Sequence, residues 1–341
     1  MKKCMNMKYL GIGGMQVSQF ALGTWHLPPS NEKYEDGIYM VDAEKTRKIF
    51  QKAVDLGINF FDTANTYHGT ISETDAHPEH SGNAEKILGS YLQEIERESV
   101  VIATKVRAEV ASFPNGGGLS RKHITWQVRE SLRRLRTDYI DLYQIHWEDN
   151  MTPPKETVDI LNDLVHRGLV HYTGTSNHSP LMTRKMIEIS HNMGWETFST
   201  MQESYNILDR EFEKEKAKIA LDNNMVLLAY VPLAEGILTG KYISQIPSGT
   251  RATYTKSFEK TIKETKEKVS AVYELAKNHD ISMSQLSLAW ILKMQSKLGI
   301  KIVPILGATD VHHLEENILS MEVSLSNDEM NELNSLSGMQ V

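Results

Sequence analysis

Cysteine is nearly absent from this 341-residue chain. Cys4 stands alone, so no disulfide can form within it. That usage fits a reducing compartment and leads us to expect the cytoplasm. Long apolar runs are missing too. A membrane span needs roughly 18 apolar residues, whereas the longest candidate here, 226–234, is strand-sized and contains Pro232. The opening MKKCMNMKYLGIGG holds basic residues but no apolar stretch of secretory-signal length. No block of Lys or Arg is long enough to serve as a polybasic arm, and the net charge is −7. Neither a nucleic acid nor a membrane is therefore an expected partner, although a local basic pocket for a phosphate stays open. No linker rich in Pro, Gly or Ser divides the chain, and a single domain over 1–341 is expected. No heptad and no apolar patch indicates an oligomeric state.

What is present is alternation. Apolar residues make up 40% and charged residues 24%, ordinary values for a globular protein. Short β-rich runs recur at 20–24, 59–62, 100–104, 140–146, 170–175, 197–202, 225–231 and 302–305. Most are continuously apolar, as strands buried on both faces of a parallel sheet are. Between them lie segments of helical period with start and stop signals. The segment 44–56 puts Ile49, Phe50, Ala53 and Val54 on one face and ends at Gly57. Ser120 is placed to cap a helix running to about Arg136. Thr152-Pro153 and Ser179-Pro180 read as cap-then-proline starts, and Ser282 with Gln285 as a capping box.

Eight strand–helix units predict a closed (β/α)8 TIM barrel of the α/β class, with extra helices at the C-terminal end. An open nucleotide-binding sheet would carry G-x-G-x-x-G after its first strand, and the chain has none there. Gly11, Gly13 and Gly14 precede the first barrel strand, where an N-terminal β-hairpin explains them. Two long loops, 26–42 and 241–258, follow the first and seventh strands, on the face where barrel enzymes build their sites.

Polar residues close these strands. Asp62 ends the second, with Tyr67 five residues on; Lys105 ends the third and His146 the fourth. Ser176 and Asn177 follow the fifth, and Gln202 ends the sixth. Parallel strands bring all of them to one rim. Any one alone reads as a paired structural group; four titratable groups on three consecutive strand ends read as a site. Buried charges need partners, which pairs Asp62 with Lys105. A lysine cation lowers the pKa of a nearby phenol, making Tyr67 a general acid. Neutral His146 can donate to the same substrate oxygen. An acid and a donor without a nucleophile suit carbonyl reduction, with the hydride supplied by a cofactor.

The motifs LGTW (22–25), FFDTANTYHG (60–69), IATK (102–105), DLYQIHW (141–147), GTSN (174–177), YVPLAEGILTGKY (230–242) and LGATDVHHLEEN (306–317) resemble the aldo-keto reductase superfamily. The likeness runs from about Lys8 to the end, and its later motifs are closest to bacterial and archaeal reductases related to potassium-channel β subunits. The resemblance implies NADPH/NADP+ as cofactor and a small carbonyl substrate. It makes Tyr67 the acid, Lys105 and Asp62 its activating pair, and His146 the orienting donor. Ser176, Asn177 and Gln202 would hold the nicotinamide carboxamide, with Tyr205 stacked on the ring. Tyr230, Pro232, Leu233, Ala234, Gly236 and Leu238 would lie along the pyrophosphate. Gly23, Thr24, Trp25, Gly240 and Gly307 complete the cofactor set, and Glu316 and Asn317 would contact adenine. Lys241, Arg251 and Thr309 match 2′-phosphate positions. Position 313, often Arg or Gln in the family, is His313 here, which donates to a phosphate more strongly when protonated.

The segment 69–80 is longer than in related chains and holds His77 and His80, with His68 nearby. Without a further ligand these read as solvent-exposed residues, and no metal is expected. Trp25 and Trp147 follow strand ends and are candidate walls of the substrate pocket, with Tyr34, Tyr39 and the loop 113–118 nearby. Two other readings compete. One is an NADPH-binding, redox-sensing regulatory subunit with little turnover. The other is a metal-dependent barrel hydrolase, which needs more clustered His and Asp at strand ends than His146 and Asp62.

Overall fold

The computed structural model describes residues 7–70, 78–247 and 256–336. Arg251, His77 and Cys4 lie outside the described residues. The chain opens with an antiparallel hairpin, β1 (Tyr9–Ile12) and β2 (Met15–Ser18), that turns through Gly13 at φ +55°. A closed barrel follows, formed by β3 (Ala21–Gly23), β6 (Phe60–Asp62), β7 (Val101–Val106), β8 (Ile140–Ile145), β9 (Val170–Ser176), β10 (Thr200–Ser204), β11 (Val226–Tyr230) and β12 (Ile302–Gly307). All its neighbours pair in parallel, from β3 with β6 round to β12 with β3.

The period of two along each strand divides the molecule into two cores. Inward positions Ala21, Phe60, Val101, Ala103, Leu142, Val226, Leu228, Val303 and Ile305 fill the barrel. Ile12 and Val17 of the hairpin join them. Outward positions such as Phe61, Ile102, Tyr143, Ile145 and Leu227 meet the helices in a second, larger core. The inward rows end in polar groups: Phe60 gives way to Asp62, Ala103 to Lys105, Leu142 to Gln144 and His146, Thr200 to Gln202. A barrel closed by hydrocarbon at the hairpin end is thus capped by a polar layer at the other.

The helices form where the capping residues indicated. Asp42 caps Ala43–Asp55, which ends ahead of Gly57 at φ +87°. Ser120 accepts from the His123 amide, Ser179 from Met182, and Ser282 forms a reciprocal box with Gln285. Thr152 is not a cap. The helix Pro154–His166 begins after Pro153, and the Thr152 hydroxyl donates to Asp149 at 2.7 Å. The prolines at 153 and 154 move the start because residue 153, preceding a proline, is held extended (ψ 130°). The segment 26–42 is not merely a loop. It contains the hairpin β4 (Pro29–Lys33) and β5 (Tyr39–Val41), turned at Gly37 (φ +88°), with the Lys33 ammonium over the Tyr39 ring. Extra helices, Val311–Ile318 and Asn327–Ser335, follow β12. No helix among the described residues is long and apolar enough to cross a membrane.

Candidate active site

Asp62, Lys105, Gln144, His146 and Gln202 meet at the rim because each is an inward residue at or beside the C-terminal end of its strand. Lys105 is fully buried. Its ammonium donates to Asp62 Oδ1 at 2.6 Å, to the Thr63 carbonyl at 2.9 Å and to the Tyr67 hydroxyl at 3.2 Å. Three donors thus have three acceptors, as a buried ammonium requires. Burial opposes the charge, but the Asp62 and Tyr67 oxygens outweigh it and hold Lys105 above the ordinary lysine value.

The other oxygen of Asp62 accepts from Gln202 Nε2 at 2.8 Å and Gln144 Nε2 at 3.3 Å. Gln144 escaped the motif reading. Its signal was its parity in DLYQIHW, two residues from both Leu142 and His146, which fixes it inward. The fit depends on Gly174 of β9, where a Cβ would press on Gln144 Cγ at 3.0 Å.

His146 is buried beside Tyr67, the two rings 5.7 Å apart and edge-on. Burial, then the cations Lys105 and Arg107, push its pKa well below the ordinary 6.5, so the imidazole is neutral. Its Nδ1 is buried with no hydrogen-bond partner among the described residues. The Tyr67 loop is pinned from behind. The Ala84 amide donates to the Tyr67 carbonyl at 3.0 Å, and Asn83 Nδ2 to the His68 carbonyl at 2.9 Å. Glu85, in the same helix (Asn83–Leu92), is wholly buried between Thr104 Oγ1 (2.5 Å) and Arg134 Nε (2.6 Å).

The residues expected along a cofactor lie on the neighbouring arc. Asn177, at φ +53°, donates to Ser176 Oγ and the His146 carbonyl and accepts from the Tyr230 hydroxyl at 2.7 Å. Burial pushes the Tyr230 phenol up to about 12. Thr24 is buried and donates to the Asp62 carbonyl, and a Cβ on Gly23 would stand 2.8 Å from Ile305. Trp25 is half-buried and stacks on His26, and Trp147 lies against His146 at 4.2 Å. After β11 the backbone takes left-handed values at Val231, Ala234, Glu235 and Gly236, and Pro232, Leu233 and Gly240 belong to the same irregular stretch. Lys241 bends back over Gly236, whose missing Cβ would meet its Nζ at 2.7 Å. Gly307, Thr309 and His313 are exposed at the far end and Glu316 is half-buried.

Three expectations need correction or narrowing. Tyr205 cannot stack on a ligand at the rim. It is 0% exposed, its ring lies on Trp290 at 5.4 Å, and its hydroxyl donates to Glu213 at 2.7 Å. The residue after β10 turns outward into the helix layer, a direction that an aromatic in a motif does not reveal. Leu238 and Asn317 have buried side chains, so Leu238 can offer a ligand only backbone. In the histidine-bearing segment, His80 is half-buried, stacks on Tyr34 and pairs with Asp36 Oδ2 at 2.8 Å. Asp36, Glu79 and His80 bring ligand-type atoms within 4.8 Å of one another.

Comparison with known proteins agrees with this geometry. The Aldo/keto reductase family model matches residues 19–337. The chain belongs to the aldo/keto reductase family. It is 32% identical over 338 residues to L-glyceraldehyde 3-phosphate reductase of Escherichia coli O157:H7, covering 96% of this chain and 90% of the relative. It is 33% identical over 325 residues to a putative voltage-gated potassium channel subunit beta of Schizosaccharomyces pombe, covering 92% and 88%. Among solved structures, a thermostable aldo-keto reductase, Tm1743, in complex with the inhibitor epalrestat superposes with a TM-score of 0.72 at 28% identity. That match spans 97% of this chain and all of the other. Family membership makes this aldo-keto reductase barrel an oxidoreductase of carbonyl compounds.

Proposed function

We propose that this aldo-keto reductase reduces aldehydes and ketones to alcohols reversibly in the cytoplasm, with NADPH as reductant and Tyr67 as general acid. The observation that carries this is the single ammonium of Lys105 bridging the Asp62 carboxylate and the Tyr67 hydroxyl. The residues on the adjoining arc suit a nicotinamide dinucleotide. Ser176, Asn177 and Gln202 bring amide and hydroxyl groups to that arc, where Asn177 and the Gln202 nitrogen would exchange their present partners for a ligand, and the stretch from Tyr230 to Lys241 has the small residues a pyrophosphate needs. A Cβ on Gly307 would meet nothing, so that strand end is open. Lys241, Thr309 and His313 favour the 2′-phosphate form.

The bound cofactor supplies the hydride. Tyr67 then gives its proton to the carbonyl oxygen, and the Lys105 cation stabilises the phenolate left behind. Asp62, braced by Gln144 and Gln202, keeps that cation in place. Neutral His146 donates to the same oxygen and orients it; a positive imidazolium would cost more to bury beside Lys105. The E. coli relative is named for an aldehyde substrate, which favours aldehydes over ketones here.

The test is Tyr67→Phe, assayed with a simple aldehyde and either NADPH or NADH, with cofactor binding followed by fluorescence. Turnover should fall by about 10²–10⁴-fold, the span of general acid catalysis. NADPH binding should persist, and in the unmodified protein NADPH should give the higher kcat/KM. Undiminished turnover in the variant removes Tyr67 as the acid; a preference for NADH overturns the cofactor assignment.

A further inference from the structure

Arg107 is a cation beside the proton donor that makes no ion pair among the described residues. It follows Val106, the last residue of β7, and so stands level with His146 across the β7–β8 pair. Its guanidinium lies over the Trp147 ring, 5.2 Å from Cζ to centroid, and Trp147 in turn touches His146. Other buried or half-buried arginines here are matched to carboxylates: Arg97 to Asp141, Arg134 to Glu85, Arg210 to Glu213. Arg107 makes no ion pair, and its Nε is buried with no hydrogen-bond partner, among the described residues. The nearby Asp149 feels the Arg107 charge, which helps lower its carboxyl pKa, but makes no hydrogen bond or ion pair with the guanidinium. Its oxygens accept from the Leu119 and Met151 amides and the Thr152 hydroxyl.

A desolvated guanidinium nitrogen left without an acceptor is costly, and such groups are rare unless a ligand completes them. The backbone holds this one in place at a cost of its own. Arg107 sits at φ +150°, and its carbonyl accepts from the Gly118 amide at 2.8 Å. Strain of this kind collects at ligand sites. The cofactor's phosphates do not explain it. In the barrel ring β7 lies opposite β11, whose following loop is the expected pyrophosphate segment.

We propose that Arg107 is the anion-binding residue of the substrate pocket, and that this protein's preferred aldehydes carry a phosphate or a carboxylate. The guanidinium fork matches both groups, and one aromatic ring separates it from His146, the donor to the substrate oxygen. This rests on the reductase reading given above and narrows its substrate class.

The experiment compares matched pairs: glyceraldehyde 3-phosphate against glyceraldehyde, and 4-carboxybenzaldehyde against benzaldehyde. The unmodified protein should prefer the anionic member of at least one pair, and which pair shows it separates phosphate from carboxylate. Arg107→Gln should reduce that preference by about 10- to 100-fold, the worth of a hydrogen bond to a charged group. Arg107→Lys should retain part of it. If the Gln variant does not fold, salt dependence takes its place: kcat/KM for the anionic member alone should fall as ionic strength rises. No preference in either pair, or an equal loss for both members on substitution, overturns the inference while leaving the reductase reading intact. No turnover of any aldehyde overturns both.

Discussion

Lys105 shows how one side chain can couple stability to chemistry. A buried ammonium is tolerable only with its acceptors in place, and two of its three, Asp62 and Tyr67, are groups the proposed mechanism uses. Lys105→Met therefore removes more than a proton-transfer partner: it leaves Asp62 buried with only two amide donors. We expect that variant to lose turnover and also about 3–5 kcal/mol of stability, read by urea denaturation. A variant as stable as the parent would mean that Asp62 takes up a proton or that water enters. Asp62, Tyr67, Lys105 and His146 were all legible in the motifs because each closes or follows a strand. Gln144 and Arg107 were not, since no motif rule separates them from ordinary core and loop residues. Only the packing shows that one braces Asp62 and that the Nε of the other lacks an acceptor among the described residues.

The helices hold the site from outside the barrel. Asn83–Leu92 carries Glu85 and anchors the Tyr67 loop, and it crosses the helix Arg121–Leu135 closely at Gly89. A Cβ at Gly89 would overlap the Arg134 carbonyl oxygen and come within 2.7 Å of Leu135 Cα. Gly89→Ala should push the two helices apart, strain the Glu85–Arg134 pair and lower kcat, although the substitution is far from substrate. Overpacking of this kind costs about 1–3 kcal/mol, so a fall in Tm accompanied by lower kcat at unchanged cofactor affinity is the expected pair of readings. An unchanged kcat would separate the helix crossing from Tyr67. Helix starts were readable where a single side chain makes the cap, as at Ser120, Ser179 and Ser282. The start after Pro153 and the hairpin β4–β5 were not, because two prolines in one case and a cross-strand partner in the other set the boundary.

For the molecule as a whole, the buried histidines give a pH signature. Burial lowers the proton affinity of His123, His146 and His178, helped at His146 and His178 by nearby cations. Their folded-state pKa values are depressed, so the stability they confer is complete above the ordinary value of 6.5 and is lost as pH falls below it, where the unfolded chain takes up protons that the folded chain refuses. Each contributes a slope of at most about 1.4 kcal/mol per pH unit. Stability should fall steadily from pH 7 to pH 5, and His178→Gln should flatten the slope by one proton's share. A flat profile over that interval would contradict the neutral His146 on which the mechanism depends. Catalysis should likewise show no limb near 6.5 from this residue.

The order and number of barrel strands, the hairpin before them and the polar strand ends were set by local pattern: apolar period, caps, and the parity of residues along a strand. These depend on neighbours a few positions apart, so they survive in one dimension. Which polar group touches which did not. Tyr205 turns into the helix layer, Gln202 bonds Asp62, Glu85 locks a helix behind Tyr67, and Arg107 is left without an ion pair among the described residues. Each is decided by residues far apart in the chain, brought together when eight strands close into a ring, and the parity of a strand says only that they face inward.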